Sequence, residues 1–129
     1  MLKAPVWLSA LLLAASLATG SCHGDAAETH SLRVSASAYN SVRAQTNNRP
    51  TLTAWGDRLK PGMKVIAVSH DLIRLGLKHN TVVKIEGLPG TYRVKDKMNR
   101  RWKHKIDIYM GNDIRAARRW GRRTVTIRW

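Results

Sequence analysis

Short apolar runs that alternate with polar residues, cut apart by glycine and proline turns, restrict this chain to a narrow set of folds. Leu32, Val34 and Ala36 alternate with Arg33, Ser35 and Ser37, which predicts a half-buried first strand. Pro61-Gly62-Met63 leads into the apolar stretch 65–68. A turn at Leu75-Gly76 precedes 81–85, and Gly87-Leu88-Pro89-Gly90 precedes Thr91-Tyr92-Arg93-Val94. Ile106 and Ile108 flank Asp107, and Val125 and Ile127 alternate along 124–129. Strands this short, at this spacing, close into a barrel or stack as a sandwich. The one clear helix spans 113–120. Asn112 is placed to cap it, Asp113 suits its first turn, Arg118 and Arg119 suit its last, and Gly121 stops it. Ile114, Ala117 and Trp120 then face the sheet. At 129 residues the chain has length for one core and not for two. No internal repeat is visible in the sequence.

The first twenty residues bring one cation, Lys3, then an apolar run over 6–18 interrupted only by Ser9 and Ser16, then Ala18-Thr19-Gly20. This is the form of an export signal, assigned to 1–21, and the run is shorter than the ~20 apolar residues of a membrane span. Residues 22–31 are small and polar and read as a flexible tether to a single domain over 32–129. Cys22, directly after Gly20-Ser21, resembles the lipid-acceptor cysteine of a bacterial lipoprotein, although Thr19 stands where an aliphatic residue is usual. The plainer reading is a stray thiol beside a cleavage point, and both stay open. A lone cysteine leaves no intrachain disulfide, so the exported domain is expected to fold on its core alone.

Asp107 alternates with its two isoleucines, so a strand through it projects the acid to the opposite side from both. Eleven residues earlier Asp96 lies in Val94-Lys95-Asp96-Lys97, and the two acids are expected from neighbouring short strands. Carboxylates held on rigid backbone suit polysaccharide cleavage, where a glycosidic oxygen is protonated while positive charge builds on the anomeric carbon. Lys95, Lys97 and Lys105 oppose this by lowering carboxyl pKa values, but on a regular strand Lys95 and Lys97 point away from Asp96. Asp71 reads either as a turn acid bonding backbone amides or as a third acid in the cleft. The polar stretch 40–51, with Asn47-Asn48-Arg49-Pro50, has the composition of a loop. Tyr39, Asn40, Gln45 and Thr46 are its candidates for hydrogen bonding to substrate, against ordinary loop packing.

These residues carry a resemblance. Asp71 in Val68-Ser69-His70-Asp71-Leu72, Asp96 in Val94-Lys95-Asp96-Lys97-Met98 and Asp107 in Ile106-Asp107-Ile108-Tyr109 match three acids of one family. Ala38-Tyr39-Asn40-Ser41, Thr53-Ala54-Trp55-Gly56-Asp57 and Trp120-Gly121-Arg122-Arg123 stand in the same order. Residues 34–129 are thus similar to the three-aspartate (Asp-Asp-Asp) domain family. The resemblance implies an all-β fold with one short helix, a six-stranded double-psi β-barrel like those of rare lipoprotein A and membrane-bound lytic transglycosylase A. It also implies a peptidoglycan-degrading role. In the transglycosylase the catalytic aspartate lies in a motif similar to Asp107-Ile108-Tyr109, with a supporting aspartate at the spacing of Asp96. There the muramic acid C6 hydroxyl attacks its own anomeric carbon, so a single acid can protonate the leaving oxygen and then accept the hydroxyl proton. Asp107 takes that part here, and Asp96 raises its pKa by like-charge repulsion. The family often continues the upstream aspartate with a glycine-rich turn. This chain has Lys97-Met98-Asn99-Arg100-Arg101, which favours the alternative of a non-catalytic peptidoglycan-binding or wall-loosening module.

The net charge is +15, and from Arg93 to Trp129 thirteen Lys and Arg stand against three Asp. In a cytoplasmic protein such an excess, interleaved with Trp102, Trp120 and Trp129, points first to nucleic acid. Export removes nucleic acid from the expected partners and leaves the wall and the membrane surface as polyanions, so the basic faces read as a wall-retention device. The plainer reading is a solvated basic surface. The five histidines show no ligand pair at helical or hairpin spacing, and neither a metal nor a cofactor is expected. The sequence thus predicts a monomer in the periplasm or cell envelope acting on peptidoglycan glycan strands, touching the membrane only through a lipid on Cys22.

Overall fold

The computed structural model describes residues 30–41 and 51–129. The stretch read as an export signal, nearly all of the expected tether with Cys22, and the loop candidates Gln45 and Thr46 lie outside them. In chain order the elements are β1 (Ser31–Tyr39), β2 (Val65–Val68), α1 (His70–Arg74), β3 (Val82–Ile85), β4 (Tyr92–Lys97), β5 (Lys105–Tyr109), α2 (Ile114–Trp120) and β6 (Arg123–Arg128).

The six strands close in the order β1-β5-β2-β4-β3-β6. The β1–β5 and β2–β4 pairs are parallel and the other four antiparallel, so the expected double-psi barrel is formed. Alternation in the sequence becomes alternation across the wall. Val34, Ala36, Ile66, Val68, Ile106 and Ile108 point inward and are almost wholly buried. Each large aliphatic side chain buried this way contributes roughly 1.5–3 kcal/mol before entropy is counted. Closure leaves no unpaired edge strand, which suits a domain without disulfides.

Two helices form where the sequence showed one. α1 is a single turn after β2, too short for apolar periodicity, and Ser69 at its start makes no side-chain cap. α2 begins one residue later than expected. Asp113, not Asn112, is its cap, accepting the Ala116 amide at 2.9 Å, while Asn112 Oδ1 accepts the Ser41 hydroxyl. Gly121 ends the helix at φ 63, and the Trp120 indole packs into the core and donates to the Ala36 carbonyl at 3.3 Å.

The order strand, strand, helix, strand occurs twice, as β1-β2-α1-β3 and β4-β5-α2-β6. Exchanging the two halves carries the parallel pair β1–β5 onto β4–β2 and the antiparallel pair β1–β6 onto β4–β3. The β2–β5 and β3–β6 ladders map onto themselves. The approximate two-fold axis passes through the facing residues Ala67 and Asp107, at the centre of the β2–β5 ladder. The repeat is one of topology, invisible in the residues themselves.

Candidate functional site

Register brings the acids together. Across four adjacent strands Ser37 pairs with Asp107, Asp107 with Ala67, and Ala67 with Asp96, so these residues form one row on the outer face of the wall. Asp96 and Asp107 do not come from neighbouring strands, as the sequence suggested: β2 runs between β4 and β5. Two strand spacings separate their Cα atoms by about 9.5 Å. The residue between them is Ala67, itself only 6% exposed, whose methyl group is the smallest side chain in the row.

Asp96 reaches this face through an irregularity. On β4, Tyr92 and Val94 point into the core, and a regular strand would send Asp96 after them. Instead Ile66 pairs with Val94 and Ala67 with Asp96, so one residue, Lys95, is extra on β4. Such a bulge reverses the face of every residue beyond it, and here it turns a carboxylate out of the core. The premise that Lys95 lies on a regular strand is therefore corrected. Its ammonium is drawn aside to the Asn80 side chain and to Asp57, at 3.6 Å from the latter.

Each acid is oriented by named donors. Asp107 Oδ1 accepts the Ser37 hydroxyl at 3.1 Å. Asp96 Oδ1 accepts the Ala54 and Lys97 amides at 2.8 and 2.9 Å. Burial pushes the Asp107 carboxyl up. The Ser37 hydrogen bond and Lys105 pull it back, Asp96 pushes it up again, and the result lies above the ordinary carboxylate value. Asp96 is raised in the same way, by burial first and also by Asp57, against the two amides and Lys97. Lys97 opposes Asp96 and Lys105 opposes Asp107 as their sequence proximity suggested, but burial outweighs both, while Lys95 is engaged elsewhere.

Tyr39 is the last residue of β1 and pairs with Tyr109, so it belongs to the wall rather than to a loop. The two rings lie 5.4 Å apart and join Leu59, Met63 and Val65 in a small apolar cluster outside the barrel, under segment 51–64. The Tyr39 hydroxyl is buried without a hydrogen-bond partner among the described residues. Burial, then Asp96 and Asp107, push it well above the usual tyrosine value, so the hydroxyl keeps its proton and has it to donate to an acidic neighbour or to a ligand. Asn40 is fully buried, and its amide donates to the Met110 and Gly111 carbonyls at 3.3 and 3.1 Å, tying β1 to the exit of β5.

Asp71 does different work. It is the second residue of α1, and its Oδ2 accepts the His104 amide at 2.9 Å with the imidazole 3.2 Å away. His104 has a positive φ of 47, uncommon for a residue with a side chain, directly before β5. Burial raises the Asp71 carboxyl, but hydrogen bonds from Ser69 and the His104 amide outweigh it and leave it below the ordinary value. The turn-acid reading describes these contacts; those that surround Asp96 and Asp107 are of another kind.

Aromatic and basic groups border the row. Lys97 lies over the Trp55 ring at 5.7 Å, and Trp55 also meets His79 at 5.0 Å, which pairs with Asp57. On the other side Trp102 sits against Lys105 and Arg101. Of these neighbours Ser37, Ala67, Lys105 and Trp102 were not among the sequence candidates. Ser37 carried a faint sign, standing two residues before Tyr39 on an alternating strand. Ala67 was the one small residue in an apolar run. Which strands face each other is not written locally, so neither could be assigned to the acids.

A solved structure, that of an apo expansin from Clavibacter michiganensis, is similar to this chain with a TM-score of 0.51 and 17% sequence identity. The match covers 76% of this chain and 49% of that one, so this chain spans about half the length of the expansin. At that identity the likeness is one of fold: a closed six-stranded barrel shared with a bacterial expansin. No protein-family model and no curated protein matches the sequence.

Proposed function

We propose that this protein acts on the peptidoglycan of a bacterial wall, with the glycan strand lying along the row Ser37, Asp107, Ala67, Asp96. The observation that carries this reading is the outward row itself. Two carboxyls, both raised by burial, flank a residue no larger than alanine, next to a buried tyrosine hydroxyl that lacks a partner. Trp55 and Trp102 border the row with cations already on their rings, and the basic C-terminal third supplies attraction to an acidic polymer.

Within that role the protein grips and loosens the wall without cleaving it. The barrel shared with the expansin supports this, and so does the run Lys97-Met98-Asn99-Arg100-Arg101, which crowds the row with cations where the three-aspartate family often has glycine. The leader supports an exported protein of the periplasm or cell envelope, and Cys22 offers a site for a lipid anchor.

A second reading, a lytic transglycosylase of the three-aspartate kind, is favoured by one specific observation: the raised Asp107 carboxyl. A carboxyl that holds its proton more tightly than a free aspartate can deliver it to the glycosidic oxygen and then accept the C6 hydroxyl proton as the 1,6-anhydro ring closes. Asp96, oriented by two backbone amides, would face the positive charge at the anomeric carbon. Mass spectrometry of soluble products from purified peptidoglycan, together with sedimentation of the protein with the wall, separates the readings. Co-sedimentation without products is the expected result. Products ending in 1,6-anhydro-muramic acid, lost by a factor of about 100 or more in Asp107→Asn, overturn it in favour of the transglycosylase. Neither sedimentation nor products would remove the wall from the reading altogether.

A further inference from the structure

Lys105 opens β5 with only 6% of its surface exposed, two residues before Asp107 on the same outer face. Its stem is packed away while the ammonium at its tip, with three donors to satisfy, ordinarily finds a carboxylate or carbonyl. Among the described residues Lys105 has no salt bridge within 4.0 Å and no side-chain hydrogen bond. Its close contact is the face of Trp102, with Nζ 3.8 Å from the ring centre. The Arg101 guanidinium sits on the same ring at 4.8 Å. Arg122, beyond α2, is near enough that it and Arg101 reinforce burial in lowering the Lys105 pKa, against the pull of Asp107. Two cations thus share one aromatic ring, and a third, Arg122, adds its charge to the same neighbourhood. The sole neighbouring carboxylate that opposes them lies outside ion-pair distance and is itself held by Ser37.

Converging like charges repel, and a partly desolvated ammonium without an acceptor is costly. An anion in their midst relieves both. We propose that Lys105, Arg101 and Arg122, held in place by Trp102, form a subsite for a carboxylate carried by the sugar next to the one over Asp107. This rests on the glycan reading above and deepens it: the ligand is an acidic amino-sugar strand, not a neutral one. A single carboxylate suits a site with Asp107 at its border, where a multiply charged group would meet that acid.

The test is calorimetric titration of the full protein with four probes. These are an alternating GlcNAc-MurNAc tetrasaccharide with free lactyl carboxylates, the same tetrasaccharide with those carboxylates amidated, neutral chitotetraose, and a glycerol-phosphate polymer. The wild type is expected to bind the free acid about tenfold or more tighter than the amide, the scale of a charge-assisted hydrogen bond. Lys105→Met should bring the two within about twofold while leaving chitotetraose binding unchanged, and Lys105→Arg should retain most of the preference. Arg101→Gln with Arg122→Gln, both at exposed positions, should reduce it by about threefold without touching the core. That double variant decides the matter if Lys105→Met does not fold. Equal affinity of the wild type for acid and amide overturns the subsite and leaves the glycan reading standing. So does an equal loss of all probes in Lys105→Met. A glycerol-phosphate polymer bound more tightly than the acidic tetrasaccharide overturns the carboxylate assignment. If no oligosaccharide binds at all, the glycan reading falls and the subsite with it.

Discussion

The two halves of the barrel share a topology and divide the chemistry unequally. Under the approximate two-fold, Ala67 on β2 corresponds to Asp107 on β5, and Ser37 on β1 to Asp96 on β4. The first half thus supplies a hydroxyl and a methyl group to the row, and the second supplies both acids. The helices differ too, with the charges reversed: α1 carries Asp71, which braces the start of β5, whereas α2 has Arg118 and Arg119 in its last turn. Inward positions do not diverge like this. Ile66 and Ile106 correspond, and each is fully buried. The core constrains both halves to the same volume, while the outer face of one half was free to acquire charge.

The sharpest way to break this comparison is through the core. Ile66→Ala and Ile106→Ala should each cost about 2–5 kcal/mol, and the two losses should agree within about 1 kcal/mol. Chemical denaturation of both variants measures this directly. A gap more than twice as large would mean that the halves are packed differently and that the two-fold is only one of connectivity.

The next largest effect comes from making the first half resemble the second. Ala67→Asp places a third carboxylate one strand spacing, about 4.8 Å, from each of the other two. Like-charge repulsion and burial should cost about 3 kcal/mol at pH 7 and much less in acid, as the row takes up protons. Melting curves at pH 7 and in acid test it. A pH-independent loss would reduce Ala67 to a packing residue and deprive the row of its electrostatic character.

The inward alternation of the strands was legible because burial acts on each residue where it stands. Val34, Ala36, Ile106, Ile108, Val125 and Ile127 announced their faces. So did the stop at Gly121, a local matter of backbone freedom. The direction of Asp96 was not legible, since alternation alone sends it into the core and only pairing with β2 reveals the extra residue at Lys95. Pairing is a long-range property, and a shift of one residue reverses every face. The same limit hid Ser37 and Ala67. α1 was missed because a single turn has no period to read, and the cap of α2 fell on Asp113 because Asn112 is engaged by Ser41. The acids themselves were visible as residues, and their separation, Asp96 and Asp107 on one outward row and Asp71 against the start of β5, was not.

That separation makes the smallest and most diagnostic prediction, since the acids should contribute to stability with opposite signs. Asp107 has a raised carboxyl. Between the ordinary value near 4 and its higher folded value, the folded state keeps a proton that the unfolded chain has released. Stability therefore falls as pH rises through that window, and the full penalty stands above it. Asp71 has a lowered carboxyl, so the stability it contributes is present above the ordinary value and is lost as pH falls toward its lower folded value. Asp107→Asn should accordingly stabilise the protein at pH 7 by about 1 kcal/mol, with the gain shrinking toward zero in acid. Asp71→Asn should destabilise it at pH 7 by about 1 kcal/mol, and this difference too should close in acid. Differential scanning calorimetry from pH 3 to pH 7 reads both slopes. If Asp107→Asn destabilises as Asp71→Asn does, Asp107 is another brace of the barrel. If the slopes diverge, the carboxylate of Asp107 is held on the row at a cost to the fold, and a ligand is what that position serves.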